Sequence, residues 1–308
     1  MAIVKTDVPM TSERNDRTIL ELVRTYPFLR TEVLTESIFG RPVRTLVIGN
    51  GKRKVIYSGS HHANEWITTP VLLKFVEEYA EALQNGGEIF GVPASELAAK
   101  VTIYTVPMVN PDGVDLVTGA IRPQTPEYNI ARQIAGDFPD IPFPDGWKAN
   151  LLGVDLNLQY PAGWLQAREI KFSQGFTRPA PRDYVGRAPL SQKESLALAR
   201  YTEEVDPELV LAYHTQGKAI YWQFRDYLVP GARALGEEFA RLSGYSLEDT
   251  PYESSFAGYK DWFIQNWRRP GFTIEAGVGT NPLPISQFDE IYTDNLGILV
   301  TAATGLPE

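Results

Sequence analysis

Short apolar runs alternate with amphipathic helical patterns along this chain of 308 residues. The runs that indicate strands cover residues 31–36, 42–48, 54–59, 101–107, 208–213 and 271–275. The patterns that indicate helices cover residues 12–26, 65–83, 192–204, 232–243, 259–266 and 285–303. This alternation predicts an α/β fold with a mixed, mostly parallel sheet and helices on both faces. A chain of this length is compatible with one domain, which we expect to cover residues 1–308.

Two local signals concern the ends of these elements. Ser191 and Glu194 have the spacing of a capping box, which predicts that they start the helix over 192–204. Residues 111–150 are rich in proline, glycine, aspartate and asparagine, which predicts a long loop. A loop of that length inside a compact domain is more often functional than idle.

The composition limits the partners that we expect. The formal net charge is −9, which argues against a surface that binds nucleic acid or anionic membranes. No stretch reaches the roughly 18 apolar residues that a membrane-spanning helix needs. The first residues, MAIVKTDVPM, lack the basic and apolar regions of a signal peptide. We therefore expect a cytoplasmic protein without nucleic-acid or membrane partners, whose oligomeric state the sequence does not indicate.

The histidines are few and grouped. Only His61, His62 and His214 occur in the chain, and there is no cysteine, so any metal must be held by histidine, aspartate or glutamate. In the H-x-x-E spacing of His62 and Glu65, the histidine follows a predicted strand and the glutamate starts a predicted helix. Both side chains can then face one point. Two imidazole nitrogens and one carboxylate would form an open catalytic zinc site with water in the fourth position.

Each of these residues also has an ordinary structural explanation. An H-x-x-E spacing is common by chance, and an isolated histidine such as His214 after an apolar strand is more often a hydrogen-bonded core residue. Glu275, after another apolar run, could cap a helix or pair with a cation. The combination favours the metal site, because His62, His214 and Glu275 all lie at or just past the ends of predicted strands. Ligands bind at these strand ends in α/β folds.

Six segments, taken in order, resemble the zinc carboxypeptidase family. They are residues 38–43 (IFGRPV), 62–66 (HANEW), 109–113 (VNPDG), 153–157 (GVDLN), 212–215 (AYHT) and 272–275 (FTIE). The resemblance extends over roughly residues 12–303. It implies a zinc carboxypeptidase-like fold, hydrolysis of peptide bonds and Zn²⁺ as the cofactor.

The resemblance assigns catalytic roles to individual residues. His62, Glu65 and His214 are the implied metal ligands, and His61 is their neighbour. Glu275 is the implied general base, which takes a proton from the attacking water and passes it to the leaving amine.

The positions that bind the substrate carboxylate depart from the family. Arginines usually serve there, because a guanidinium fork matches a carboxylate. Here Asn157 of the GVDLN segment is followed by Leu158, and Asn64 stands in the metal motif where a second arginine is usual. Asn64 and Asn157 are the implied substrate-binding residues at these positions. Terminal-carboxylate recognition is therefore expected to differ from that of ordinary carboxypeptidases.

Two further residues have implied roles. Trp147 is followed by Lys148 where the family usually has a third arginine that polarises the scissile carbonyl. Lys148 keeps the charge and is expected to be catalytic, with a solvated loop lysine as the alternative. Tyr252 lies near the position of a mobile tyrosine that closes over the substrate. A surface or core tyrosine is the alternative there.

A narrower resemblance concerns the bacterial γ-D-glutamyl-L-diamino acid endopeptidases. It depends on residues 61–70 (HHANEWITTP), 147–150 (WKAN), 153–163 (GVDLNLQYPAG) and 213–217 (YHTQG). It implies a peptide substrate from the cell wall, cut between γ-D-glutamate and the L-centre of diaminopimelate or lysine. The candidates for binding the substrate's D-centre are Arg168, Lys171, Arg182 and Arg187, which the sequence does not rank.

Two alternatives remain open. A general zinc carboxypeptidase, or another amide hydrolase of the same fold, would share the zinc chemistry, although Leu158 argues against an ordinary carboxypeptidase. A non-catalytic module that binds cell-wall peptides would be expected to have lost a metal ligand or the base. All four of these residues are present in the chain.

Overall fold

Residues 2–306 are described by a computed structural model, in which they form ten helices and eleven strands. The helices are α1 Ser12–Thr25, α2 Thr68–Asn85, α3 Ala94–Lys100, α4 Pro111–Val117, α5 Pro126–Ala135, α6 Trp164–Ser173, α7 Lys193–Val205, α8 Ala232–Ser243, α9 Tyr259–Trp267 and α10 Phe288–Thr304. The strands are β1 Val33–Glu36, β2 Pro42–Arg44, β3 Leu46–Ile48, β4 Arg53–Ser58, β5 Glu88–Ile89, β6 Val92–Pro93, β7 Val101–Val106, β8 Leu209–His214, β9 Ala219–Tyr221, β10 Ser246–Glu248 and β11 Gly271–Glu275.

Seven strands form one sheet in the order β10-β9-β11-β8-β4-β7-β3. Strand β4 pairs in parallel with β7 and β8, β11 with β8, and β10 with β9. Strands β3 and β7 pair antiparallel, and so do β9 and β11. The sheet is therefore mixed and mostly parallel, which confirms the fold expected from the alternation of elements.

Helices cover both faces of this sheet. Val55 and Tyr57 of β4 belong to the larger apolar core, together with residues of α1, α2, α8 and α10. Ile56, which lies between them, belongs to a second core with residues of α7 and α9. Because alternate residues of a strand point to opposite faces, the two cores lie on opposite sides of the sheet. A strand buried on both faces is a continuous apolar run, which explains the sequence pattern of the central strands.

The carboxyl ends of β4, β8 and β11 meet at one edge of the sheet, because these three strands are parallel neighbours. His214 is the last residue of β8 and pairs in register with Glu275, the last residue of β11. Strand β4 ends at Ser58, and His62 follows it shortly afterwards. The topology thus gathers His62, His214 and Glu275 in one region.

The long loop predicted over residues 111–150 is wrong, because this segment contains α4 and α5. Each helix begins with a proline, Pro111 or Pro126, and the preceding side chain, Asn110 or Thr125, caps it. Proline is favoured at a first helical position because its missing N–H would have no partner there. Proline is also common in loops, so the composition of residues 111–150 does not distinguish helices from a loop.

The helix predicted from Glu65 begins later than expected. A 3₁₀ turn covers Ala63–Glu65, and α2 starts at Thr68. The Thr68 hydroxyl donates to the Glu65 carbonyl at 2.8 Å and accepts from the Ser60 N–H at 2.9 Å. The loop after β4 is therefore tied to the first turn of α2, which holds the segment carrying the H-x-x-E motif.

The capping box predicted for α7 is wrong. Gln192, at the cap position before Lys193, makes no side-chain cap hydrogen bond. Ser191 donates from its backbone N and its hydroxyl to Gln159 Oε1. Glu194 is buried, and its Oε1 has no hydrogen-bond partner among the described residues. Burial raises the pKa of Glu194 to about 7.

Replacing Glu194 by glutamine is expected to stabilise the protein at alkaline pH. The pKa of Glu194 is about 7 in the folded chain and ordinarily 4.5, so its contribution to stability is largest below pH 4.5 and is lost as the pH rises through 7. The difference between these two pKa values corresponds to roughly 3 kcal/mol in the free energy of unfolding. Free energies of unfolding in urea should be similar for the two proteins near pH 4.5 and favour Glu194→Gln at pH 9. A difference that does not depend on pH would contradict this assignment.

The domain expected over residues 1–308 includes Met1, Pro307 and Glu308, which lie outside the described residues. That the chain forms a single catalytic domain stays a prediction. Within residues 2–306, no helix is both long enough and apolar enough to cross a membrane.

Candidate metal centre

Three side chains converge at the carboxyl ends of the central strands. His62 Nδ1 lies 2.9 Å from Glu65 Oε1, and His214 Nδ1 lies 2.8 Å from Glu65 Oε2. The two Nδ1 atoms are 3.2 Å apart. One potential ligand atom from each residue lies within 4.8 Å of the other two. The three residues therefore form one compact group of two nitrogen donors and a carboxylate.

Asp155 orients the first histidine of the group. The His62 Nε2 atom lies 3.2 Å from Asp155 Oδ1, and this carboxylate also accepts from the backbone N–H groups of Asn157 and Asp183. Metal-binding histidines usually make such a contact through their second nitrogen, which fixes the ring and its tautomer. The sequence places Asp155 in the GVDLN segment but does not predict its contact with His62.

His61 does not belong to the converging group. Its Nε2 lies 3.2 Å from the hydroxyl of Tyr160, and its ring stacks on that of His214 with centroids 5.7 Å apart. Burial holds the pKa of His61 well below its ordinary value. The residue is therefore a buried, neutral neighbour of the metal centre at neutral pH.

The electrostatics of the group favour a bound cation. Burial alone would lower the pKa of the His62 imidazole, but the carboxylates of Glu65 and Asp155 raise it to about 9. Burial opposes ionisation of Glu65, yet His62 and Lys148 hold its pKa well below the usual value. The pKa of Asp155 is lowered against burial, mainly by His62. Both carboxylates are therefore ionised at neutral pH beside the two imidazoles.

These residues fit a catalytic zinc site. Imidazole nitrogen and carboxylate oxygen are among the donors that zinc prefers, and catalytic sites use three protein ligands with a fourth position open. The two Nδ1 atoms and the Glu65 carboxylate have this composition, and Asp155 supplies the contact behind His62. Bound zinc would supply Lewis acidity toward a carbonyl group and a water molecule.

Glu275 lies beside the metal group. It ends β11 opposite His214 and lines both cavities of the site. Burial raises the pKa of Glu275. The nearby Glu65 carboxylate raises this pKa further, whereas His214 lowers it, and the net pKa is raised. A raised pKa makes a carboxylate a stronger base. The position and the environment therefore suit the implied general base.

Lys148 reaches the metal group from a separate loop. Its Nζ donates to Glu65 Oε1 at 2.8 Å. Burial lowers the pKa of Lys148, but the charge and hydrogen bond of Glu65 offset this, and the net pKa is raised. The side chain is therefore a cation within the site, and the alternative of a solvated loop lysine does not describe its position.

The VNPDG segment fixes the loop that carries Lys148. Asn110 Nδ2 donates to the carbonyl of His61 at 3.2 Å and to that of Ala149 at 3.0 Å, so it joins the two loops of the site. A Cβ atom at Gly113 would lie 2.6 Å from the Ala149 carbonyl oxygen, which leaves room only for glycine. This motif therefore positions the catalytic loops and does not itself contact the metal group.

Two cavities meet at the metal centre. The smaller and more enclosed one has a volume of about 160 Å³, and the open cleft has a volume of about 860 Å³. Lys148, Arg182, Tyr221 and Glu275 line both of them. A peptide bond at this junction would place one side of the substrate in the enclosed cavity and the other side in the open cleft.

The two asparagines predicted to bind substrate lie in different cavities. Asn157, next to Leu158, lines the enclosed cavity, and its Oδ1 accepts from the backbone N–H of Tyr259 at 3.1 Å. Asn64 lines the open cleft, and its Nδ2 donates to the Asp145 carbonyl at 2.9 Å. Their substrate-binding roles stay predictions.

Tyr252 lies outside both cavities. Its side chain is exposed, and its ring packs edge-on against Phe256 with centroids 5.2 Å apart. It lines a separate surface hollow with Phe224 and Arg225. The structure does not bring Tyr252 to the metal group, and its closing role stays a prediction.

The structure ranks the cations that the sequence leaves equivalent. Lys171 and Arg182 line the enclosed cavity, whereas Arg168 packs over aromatic rings and Arg187 is exposed. Lys260 also lines this cavity and is missed by the sequence interpretation, because only the packing of α9 brings it there. The enclosed cavity therefore contains cations, although Leu158 supplies none.

Two imidazoles and a carboxylate at the carboxyl-end edge of an α/β sheet, with a second carboxylate beside them, are the arrangement of a zinc-dependent hydrolase. The family described as Zinc carboxypeptidase matches residues 16–297, and the chain belongs to this family. The protein is therefore a zinc metallopeptidase with Zn²⁺ as its cofactor, as the resemblance of the six motifs implies.

Individual proteins are similar to this chain in sequence or in fold. The chain is 46% identical to gamma-D-glutamyl-L-diamino acid endopeptidase 1 of Lysinibacillus sphaericus over 282 residues, which cover 92% of this chain and 69% of that protein. Its fold is similar to that of thrombin activatable fibrinolysis inhibitor, with a TM-score of 0.77 at 17% identity over 99% of this chain and 76% of the other. It is also similar to murein-tripeptide amidase MpaA of Escherichia coli O157, with a TM-score of 0.54 at 19% identity over 88% and 91% of the two chains.

Proposed function

We propose that this zinc metallopeptidase hydrolyses peptides derived from peptidoglycan at the bond between γ-D-glutamate and an L-diamino acid. The observation that carries the proposal is the 46% identity, across 92% of the chain, to a protein named as a γ-D-glutamyl-L-diamino acid endopeptidase. The wall of the enclosed cavity supports it, because Leu158 stands where ordinary carboxypeptidases are expected to have an arginine. The competing function is that of a general carboxypeptidase.

We assign the metal-binding and proton-transfer roles of the proposed reaction to four residues. His62, Glu65 and His214 hold the zinc ion. Glu275 accepts a proton from the water that attacks the scissile carbonyl carbon. As the carbon–nitrogen bond breaks, Glu275 returns this proton to the leaving nitrogen, so the carboxylate ends in its initial state.

Lys148→Ala is expected to lower kcat by about 10²–10³ with a smaller effect on KM. Lys148 lies beside Glu65, and we expect its cation to stabilise the negative charge that develops on the carbonyl oxygen. Steady-state kinetics on a γ-D-glutamyl peptide measure both constants, and Lys148→Arg should recover part of kcat because it keeps the charge. An effect on KM alone would assign the lysine to ground-state binding instead.

The bond that is cut tests the proposed function directly. The substrates are L-Ala-γ-D-Glu-meso-diaminopimelate and the same peptide extended by D-Ala, and the products are identified by mass spectrometry. We expect L-Ala-D-Glu to be released in both digests. Release of D-Ala alone would indicate a carboxypeptidase, and stoichiometric zinc without hydrolysis of either peptide would indicate a non-catalytic binding module.

Other expectations remain part of this proposal. A cytoplasmic location is supported by the absence of cysteine, which fits a reducing compartment. The absence of nucleic-acid partners is supported by the net charge of −9. We propose that residues 1–308 act as one catalytic domain on small cell-wall peptides.

A further inference from the structure

Arg182 presents a free guanidinium edge where the two cavities meet. Its side chain lines both the enclosed cavity and the open cleft and is 43% exposed. The Nε atom donates to Asp183 Oδ2 at 2.5 Å, which holds one edge of the group. Within residues 2–306, neither terminal nitrogen of Arg182 makes a hydrogen bond. The two terminal nitrogens are therefore available to a ligand at this junction.

A series of contacts fixes Arg182 relative to the metal centre. Its partner Asp183 also pairs with Lys171, whose Nζ lies 2.7 Å from Asp183 Oδ1. The backbone N–H of Asp183 donates to Asp155 Oδ2 at 3.2 Å, and the other oxygen of Asp155 contacts His62. The guanidinium group is therefore held in place before any substrate arrives, which lowers the entropy that binding would cost.

The open cleft has few positive charges. Among the described residues that line it, only Lys148 and Arg182 are basic. Lys148 is bound to Glu65 and is expected to act on the carbonyl oxygen. Asp140 and Asp145 also line the cleft, so an anionic substrate group there requires a cation to offset their repulsion. Arg182 is the cation of this cleft that the proposed reaction does not use.

A γ-linked glutamyl residue places a carboxylate close to the bond that is cut. Its α-carboxylate is joined to the scissile carbonyl carbon by a short aliphatic stem and lies at most about 5 Å away. An α-linked residue has no charged group of its main chain at this place. A guanidinium fork matches a carboxylate and can donate two parallel hydrogen bonds to it. The free edge of Arg182 is therefore complementary to the γ-linked form.

We propose that Arg182 binds the α-carboxylate of the γ-D-glutamyl residue, so that the protein discriminates against peptides in which this group is an α-amide. The inference rests on the proposed function, because it requires a γ-D-glutamyl group on the acyl side of the scissile bond. It goes beyond that function, since the acid and the amide contain the same γ-D-glutamyl bond to the diamino acid. Arg182 determines specificity and takes no part in proton transfer.

Two peptides that differ in one group test this inference. Both are L-Ala-γ-D-Glu-L-Lys, with either a free α-carboxylate or an α-amide on the D-glutamyl residue. The amide has nearly the same size but no charge. We expect the unmodified protein to prefer the carboxylate peptide by about tenfold to a hundredfold in kcat/KM, the usual effect of hydrogen bonds to a charged group. A third peptide carries the amide on the lysine carboxyl group instead and reports on the leaving side.

The variant Arg182→Gln removes the charge and keeps an amide that can donate to Asp183. It should lower kcat/KM for the carboxylate peptide about tenfold to a hundredfold and change the D-glutamyl amide peptide little, so the ratio falls toward one. The effect of the lysine amide should stay as it is in the unmodified protein. Arg182→Lys keeps the charge without the fork and should retain part of the preference.

The control variant is Arg178→Gln. Arg178 is an exposed arginine of the same chain segment that pairs with Asp137 and lines neither cavity. This variant should keep the full preference for the carboxylate peptide. Zinc content and melting temperature are measured for every variant, and Arg182→Lys decides the question if Arg182→Gln does not fold.

The outcomes separate the inference from the proposed function. Equal cleavage of the carboxylate and D-glutamyl amide peptides by the unmodified protein would overturn the inference while the proposed function stands. So would an unchanged preference in Arg182→Gln, or an equal loss on all three peptides, which would assign Arg182 to support of the metal centre. A changed response to the lysine amide alone would place Arg182 on the leaving side and also overturn it. If the unmodified protein cleaves none of the peptides, the proposed function fails, and the inference fails with it.

Discussion

Glu275→Gln is expected to lower kcat by about 10²–10⁴ while the fold and the bound zinc are retained. Glutamine has nearly the same shape as glutamate but cannot accept a proton from the attacking water. Glu275 is not among the three residues that form the metal group, so its replacement removes no ligand. Steady-state kinetics on a γ-D-glutamyl peptide, with zinc measured by atomic absorption, test both parts of this prediction.

A matched control separates a local effect from a general one. Glu237→Gln changes an exposed glutamate on α8 that pairs only with Arg233 among the described side chains. This variant should have the kinetics of the unmodified protein. A kcat close to the original value in Glu275→Gln would remove Glu275 from the mechanism and leave the metal assignment intact.

His214→Ala is expected to reduce the zinc content well below one ion per chain and to abolish measurable hydrolysis. The histidine supplies one of two nitrogen donors, and only Glu65 and His62 remain in the group without it. A site with two protein ligands loses most of the coordination that catalytic zinc requires. Zinc should be measured after dialysis against metal-free buffer, together with circular dichroism to establish that the variant is folded.

His61→Gln is the corresponding control for the ligand set. His61 is the neighbour of His62 in sequence and stacks on His214, yet its Nε2 contacts Tyr160 and lies outside the group. We therefore expect it to keep one zinc per chain. Loss of zinc in His61→Gln, with full retention in His214→Ala, would reverse the two assignments.

The metal centre could be predicted because its signals are local. His62 and Glu65 are three positions apart, and His214 and Glu275 each end an apolar run that is recognisable as a buried strand. Parallel strands that lie side by side bring their ends together whatever the loops do. The positions of His62, His214 and Glu275 at one edge of the sheet could therefore be predicted without knowing how the helices pack.

The walls of the enclosed cavity could not be predicted in the same way. Lys260 lies in an unremarkable helical segment, and it faces the cavity only because α9 packs against β8 and β11. Asp155 and Asp183 meet because the backbone N–H of Asp183 donates to the Asp155 carboxylate, which lies in a separate segment of the chain. Such contacts depend on how layers pack, and a pattern of apolar residues does not record that packing.

Local signals also failed where one residue type serves two purposes. Proline starts helices as well as loops, so Pro111 and Pro126 did not reveal α4 and α5. Glu194 has the spacing of a capping residue, but the surrounding core buries it instead. In both cases tertiary packing decides between two structures that the local sequence permits.

The ratio of two specificity constants tests the central claim most directly. It compares kcat/KM for an L-Ala-γ-D-Glu-diamino-acid peptide with kcat/KM for a blocked substrate that ends in a single phenylalanine or lysine, under the same zinc concentration and pH. We expect a preference of at least about a hundredfold for the γ-D-glutamyl peptide, which corresponds to roughly 2.7 kcal/mol of transition-state binding. An equal or reversed preference would contradict the proposed substrate and identify the protein as a general carboxypeptidase.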